Sequence, residues 1–100
     1  MNYELCDKVY GLIKNIPEGK VLTYGKVAEM AGVNSPRLVG RILHENIDSV
    51  KIPCHRVVNS EGKVANNYAF GGGKVQRRKL EEEGIEFANN KIDLEKYLWK

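Results

Sequence analysis

Five consecutive residues, Gly32-Val33-Asn34-Ser35-Pro36, do most to limit what this chain can fold into. Glycine readily takes the left-handed conformation that ends a helix. Serine followed by proline starts one: the hydroxyl accepts from a free backbone N–H, and the ring sits where no N–H is needed. The pattern predicts a helix over Tyr24–Ala31 capped by Thr23, a tight turn, and a second helix over Pro36–His44. Two short helices so joined make a helix-turn-helix. Val27, Met30 and Ala31 are expected inward on the first helix, and Leu38, Val39, Ile42 and Leu43 are available for packing on the second. Arg37 and Arg41, four apart, share a face of that second helix.

Other elements follow from periodicity. Leu5, Val9, Leu12, Ile13 and Ile16 recur at helical spacing, so Tyr3–Asn15 reads as an amphipathic helix. Arg56–Val58 and Lys63–Val64 are short strand candidates around the turn-rich Asn59-Ser60-Glu61-Gly62. Asn66–Gly73 reads as a glycine-rich loop, and Lys74–Glu83 as a helix stopped by Gly84 and closed by Ile85. Ile92–Trp99 is a final short amphipathic segment. The expected fold is mainly α with a small β-ribbon: a winged-helix-like domain containing a helix-turn-helix, with residues 1–100 as a single domain.

Charge is unevenly spread. The net value is only +3, yet residues 35–80 hold nine basic and three acidic side chains, a local +6. The segment before them is neutral and the one after is acidic. A basic middle is compatible with nucleic acid and equally with an ordinary solvated surface. There is no long apolar run and no signal-peptide pattern, so the expectation is a cytoplasmic chain with no membrane partner. The two cysteines, Cys6 and Cys54, are expected free in a reducing compartment. Together with His44 and His55 their spacing fits no zinc pattern, and no metal or cofactor is expected.

The chemistry concentrates in Ile52-Pro53-Cys54-His55-Arg56-Val57-Val58. A cysteine beside basic groups is the usual setting of a reactive thiolate. His55 is a candidate base, acting directly or through water. Adjacent residues of an extended strand point to opposite faces, so direct pairing requires a kink, and Pro53 makes one plausible. Glu83 is a candidate for orienting the histidine. Without further context, a buried Cys next to a surface His is the favoured reading of the pair.

The heptapeptide strongly resembles the active-site motif of the O6-alkylguanine-DNA alkyltransferases, and the likeness extends along most of the chain. Gly19-Lys20-Val21-Leu22-Thr23-Tyr24-Gly25-Lys26-Val27-Ala28 is similar to the family's approach to its helix-turn-helix. Ser35-Pro36-Arg37-Leu38-Val39-Gly40-Arg41 is similar to its recognition helix, and Glu82-Glu83-Gly84 to its closing acid–glycine pair. The resemblance implies that Cys54 accepts the alkyl group of a damaged guanine irreversibly, activated by His55 through water and by Glu83. It implies that Arg37 fills the gap left by the flipped nucleotide, and that Tyr24 presses on a phosphate and helps protonate the leaving guanine. Asn46 would hold the loop before the active site, and the carbonyls of Cys54 and Val57 would bind the guanine amino group. Gly40 suits a narrow minor groove. Arg41, Arg56, Tyr68 and Ala69 complete the implied DNA- and base-contacting set.

Three departures accompany the resemblance. The family usually has an additional N-terminal domain. Leu38 stands where a small alanine is common. The family's tyrosine–small residue–Gly-Gly loop appears as Tyr68-Ala69-Phe70-Gly71-Gly72, with Phe70 extra. The tail, Glu83-Gly84-Ile85-Glu86-Phe87 and Ile92–Trp99, is instead similar to the small alkyltransferase-like proteins. Those relatives bind alkylated guanine without transfer and flag it for nucleotide excision repair. The implied partner is double-stranded DNA containing O6-alkylguanine, met by a monomer. The implied activity is single-turnover methyl transfer to Cys54, and the alternative is non-catalytic lesion recognition with excision-repair proteins as partners. A winged-helix regulator would need a dimer surface, and a cysteine hydrolase an oxyanion site; neither is legible.

Overall fold

A computed structural model describes residues 3–46, 48–66 and 68–99. Position 67, in the predicted glycine-rich loop, lies outside the described residues, as do 1, 2, 47 and 100. The elements run α1 (Tyr3–Lys14), β1 (Leu22–Thr23), α2 (Tyr24–Ala31), α3 (Pro36–His44), a 3₁₀ turn (Cys54–Arg56), β2 (Val57–Val58), α4 (Gly72–Glu82), β3 (Phe87–Ala88), β4 (Lys91–Ile92) and α5 (Leu94–Tyr97). The domain is mostly helical, as expected. Among the described residues no helix is long and apolar enough to cross a membrane.

The helix-turn-helix forms from its caps. Thr23 accepts from the Lys26 N–H at 3.1 Å, and Ser35 accepts from Leu38 N–H at 3.2 Å. Each such cap is worth about 1 kcal/mol. Gly32 has φ 71°, and the Val33 N–H turns back to the Ala28 carbonyl at 2.8 Å. Val27, Ala28 and Ala31 of α2 meet Val39, Ile42 and Leu43 of α3 in one core with Val9 and Ile13 of α1. Met30, expected inward, is half-exposed, and Ala28 takes the buried position. The Tyr10 hydroxyl donates to the Ile42 carbonyl at 2.6 Å and ties α1 to α3. Leu38 packs partly against this core, and Cys6 is half-buried against it.

The β-structure differs from the expected ribbon in its pairing. Val57–Val58 forms a strand, but its partner is Leu22–Thr23, in parallel register Leu22↔Val57 and Thr23↔Val58. Lys63–Val64 is not a strand. The reason is local: the Asn59 carboxamide oxygen accepts from Glu61 and Lys63 N–H, both at 2.9 Å, and rolls residues 59–63 into a closed turn. A Cβ on Gly62 would stand 2.5 Å from the Ile92 carbonyl oxygen, so the turn packs tightly on β4.

The predicted 92–99 segment divides into β4 and α5. β3 and β4 form an antiparallel hairpin whose Asn89 and Asn90 have φ 54° and 64°. Asparagine tolerates that region better than most residues. The chain then returns to β1, with Val21 N–H donating to the Tyr97 carbonyl and Trp99 N–H to the Val21 carbonyl, both at 2.9 Å. Val21, Val58, Leu80, Ile85, Ile92 and Tyr97 make a second core there. Helix α4 begins two residues earlier than expected and ends one earlier, at Glu82 with Glu83 as its cap, Gly84 following at φ 89° and Ile85 buried. The parallel pair β1–β2 positions the site, because it fixes the turn carrying Cys54 beside the start of α2.

Candidate active site

The segment before Cys54 is pinned by a buried amide. Asn46 follows α3 and donates to the Ile52 carbonyl at 2.9 Å and to the Cys54 sulfur at 3.3 Å. Its oxygen accepts from Asp48 N–H at 3.0 Å, and Asp48 in turn accepts from the Val50 and Lys51 amides. At Pro53 the chain kinks into the 3₁₀ turn. The kink does not bring thiol and imidazole into contact: among the described residues no hydrogen bond joins Cys54 to His55. The thiol lines one cavity and the imidazole another.

Behind the thiol lies a charged chain. His55 Nε2 is 2.7 Å from Glu83 Oε2, and the Arg56 guanidinium bonds both Glu83 oxygens at 2.8–3.1 Å. Gly19 N–H adds a bond at 3.2 Å, and Arg56 also donates to the Ile16 carbonyl. Glu83 has left α4 as its cap residue. Burial pushes the Glu83 carboxyl up, but the bonds from Arg56, His55 and Gly19 outweigh it and hold it below the ordinary value. Burial also lowers His55, against the pull of Glu83. A neutral imidazole facing an ionised carboxylate carries its proton on Nε2. Its Nδ1, buried and without a hydrogen-bond partner among the described residues, is then the basic lone pair. Cys54 is 3% exposed. Burial raises its pKa, and the bonds from Asn46 and Tyr68 with the charge of Lys79 only partly offset this. At neutral pH the resting group is a thiol.

The thiol opens into a cavity of about 780 Å³ lined by Tyr24, Arg37, Gly40, Arg41, Tyr68 and Ala69, among others. That volume is in the range of pockets that enclose a small organic ring system. One face of α3, from Pro36 to His44, forms one wall, with Arg37 and Arg41 exposed, and the loop before α4 forms another. Gly40 faces the Tyr24 ring: a Cβ there would sit 3.9 Å from it, ordinary contact. A Cβ on Gly71, where φ is 121°, would meet Val75 at 2.7 Å, so the loop turns into α4 only with glycine. Phe70 stacks obliquely on Tyr68, centroids 5.8 Å apart.

Thus Tyr24, Arg37, Gly40, Arg41, Cys54, Tyr68 and Ala69 gather around one cavity, while Asn46, His55 and Glu83 stand behind the thiol. Arg56 and Val57 do not line this cavity. The Arg56 side chain is 15% exposed and bonded to Glu83, so it anchors the carboxylate. The Val57 carbonyl accepts from Gln76 at 2.8 Å. Sequence reasoning passed over Gln76 and Lys79. Gln76 is fully buried and joins the His55 and Val57 carbonyls to the Ala65 N–H. A glutamine one turn before the buried Leu80 was its available signal.

Comparison with known proteins gives this arrangement a family. Residues 4–85 match the family described as 6-O-methylguanine DNA methyltransferase, DNA binding domain. The chain belongs to that family. Within it, the chain is 37% identical over 103 residues to alkyltransferase-like protein 1 of Schizosaccharomyces pombe, covering 97% of this chain and 95% of that protein. It is 44% identical over 78 residues to the methylated-DNA–protein-cysteine methyltransferase of Methanothermobacter thermautotrophicus, covering 78% of this chain but 43% of that one. The fold superposes on the crystal structure of S. pombe Atl1 in complex with damaged DNA containing O6-carboxymethylguanine. That match has a TM-score of 0.88 at 35% identity, over 100% of this chain and 98% of that one. This member of the methyltransferase family therefore has relatives named both as alkyltransferases and as alkyltransferase-like proteins.

Proposed function

We propose that this chain binds O6-alkylguanine in duplex DNA, turns the damaged nucleotide out of the stack, and takes its alkyl group onto Cys54 in a single turnover. The observation that carries the reading is the two-sided placement of Cys54: its thiol opens into the α3 cavity, and the His55–Glu83–Arg56 chain lies directly behind its turn.

The base must leave the duplex, because the O6 substituent is unreachable inside the stack. Arg37 at the start of α3 occupies the vacated space, Arg41 adds positive charge along the same face, and Gly40 permits close approach to a narrow groove. Asn46 holds the thiol, while Tyr68 and Ala69 border the flipped base. In the reaction, the sulfur–carbon bond forms as the carbon–O6 bond breaks. The thiol proton passes to His55 Nδ1 through water, and a proton is returned to the departing guanine with help from Tyr24. Glu83 stabilises the imidazolium formed in between, and Arg56 and Gly19 hold Glu83.

The experiment is incubation with an O6-methylguanine duplex followed by peptide mass analysis. The Cys54 peptide should gain the mass of one methylene unit, one thiol hydrogen having been replaced by methyl. An unchanged mass refutes transfer.

A second reading, lesion recognition without transfer that recruits nucleotide excision repair, draws on two observations. The thiol is buried and has no direct bond to His55. One relative that matches over nearly its full length is an alkyltransferase-like protein. It predicts retained affinity for lesion DNA in Cys54→Ala and no release of unalkylated guanine from the duplex.

A further inference from the structure

Lys79 stands where the two sides of the site meet. It lines the rear cavity with His55 and Glu83, and its ammonium reaches Tyr68, whose ring borders the α3 cavity. Lys79 Nζ lies 2.8 Å from the Tyr68 hydroxyl oxygen. It also sits over two aromatic rings, 5.2 Å from the Tyr68 centroid and 5.6 Å from that of Phe70. Among the described residues no carboxylate lies within ion-pair distance of it. The extra Phe70 thus helps form an aromatic cradle for a cation.

The direction of the Lys79–Tyr68 bond matters. An ammonium has three donors and no acceptor, so the tyrosine oxygen accepts. The single phenolic hydrogen is left to donate elsewhere, and the Cys54 thiol lines the same cavity as Tyr68. Donation of that hydrogen to the sulfur would complete an order of ammonium to phenol to sulfur. Such a chain polarises cooperatively, and a charged first donor strengthens the second bond.

We propose that Lys79 is a positioning residue which, through Tyr68, fixes a hydrogen bond into the Cys54 sulfur and favours the thiolate. The proposal rests on the reading of Cys54 as alkyl acceptor for its purpose, though not for its measurement. Other groups face the sulfur as well. Asn46 donates to it from the loop after α3, and Tyr24 of α2 and Tyr10 of α1 are near enough to feel its charge. His55 follows it in the same turn. None of these bonds Lys79, so a change at position 79 reaches the sulfur through Tyr68 or through space. Burial still leaves the thiol above its ordinary pKa; Lys79 and Tyr68 limit that rise.

The test titrates Cys54 in the full chain, following its reaction with iodoacetamide against pH by peptide mass analysis. Wild type, Lys79→Met, Lys79→Gln, Lys79→Arg, Tyr68→Phe and Lys79→Met/Tyr68→Phe are compared, with circular dichroism confirming the fold of each. Lys79→Met and Lys79→Gln should raise the Cys54 titration by about one pH unit, the low end for loss of a nearby cation. Lys79→Arg should restore most of the shift. Tyr68→Phe should raise it too, and adding Lys79→Met should then shift it by clearly less than in the wild-type background. An unmoved titration in both neutral variants overturns the proposal. So does a Lys79→Met shift that is just as large without the Tyr68 hydroxyl, since the effect would then bypass Tyr68. Methyl transfer is measured on the same samples. A shift without any wild-type transfer supports the role of Lys79 while refuting the proposed function. Transfer without a shift does the opposite.

Discussion

His55 and Glu83, 28 residues apart in the chain, meet at 2.7 Å, each with a side chain 9% exposed. The contact sets a tautomer and an electrostatic balance together. Glu83 is ionised because Arg56 holds it, and His55 is neutral because it is buried. Their charges therefore enter the stability of the fold as well as the chemistry.

Stability should rise with pH in two steps. Both groups have folded pKa values below their unfolded ones, so the unfolded chain binds more protons in between. The contribution of His55 is complete above pH 6.5 and is lost as pH falls below that toward the lowered folded value. The contribution of Glu83 is complete above pH 4.5 and is lost as pH falls through its own lowered value. Urea midpoints measured from about pH 8 to about pH 2.5 should fall in this order. His55→Gln should flatten the upper step and leave the lower one.

Glu83→Gln should destabilise the fold by about 3 kcal/mol, the scale for removing one partner of a buried ion pair. It leaves Arg56 with its charge uncompensated and removes the acceptor that orients His55. Denaturation measures the first effect. Loss of methyl transfer beyond what instability explains measures the second.

Gln76→Leu should cost about 2–4 kcal/mol, because it strips buried partners from the His55 and Val57 carbonyls and the Ala65 N–H. Urea denaturation reads this directly. A cost near zero would mean those groups find other partners.

Gly40→Ala separates folding from binding. A methyl there makes ordinary contact with Tyr24 and relieves the entropic cost of a mid-helix glycine. Stability should rise by about 0.5–1 kcal/mol. Affinity for lesion DNA should fall, since the methyl stands on the wall that approaches the groove. Anisotropy titration and denaturation of the same protein should move in opposite directions.

Arg37→Ala should weaken lesion-DNA binding with stability unchanged within about 0.5 kcal/mol, because the side chain is exposed. Equal affinity of variant and wild type would remove α3 from the DNA interface.

The sequence by itself determined what short-range interactions decide. Thr23, Gly32, Ser35-Pro36 and Gly84-Ile85 place their helix ends because caps are satisfied within a few residues. The Asn89-Asn90 hairpin belongs to the same class, although its signal was passed over. The heptapeptide around Cys54, with its flanking motifs, was enough to point to the family. Tertiary structure alone decided the partners. Val57–Val58 is too short for any periodicity, and its own following turn closes at Asn59, so only the packed core could assign it to Leu22–Thr23. Arg56 looks like a DNA contact in sequence; the fold turns it inward because the ionised Glu83 lies within its reach. Gln76 and Lys79 look like ordinary polar positions of α4 until that helix packs behind the turn carrying Cys54. The physical reason is the same in each case: a cap is settled by neighbours in the chain, while the environment of a buried charge or thiol is settled by whatever folding brings against it.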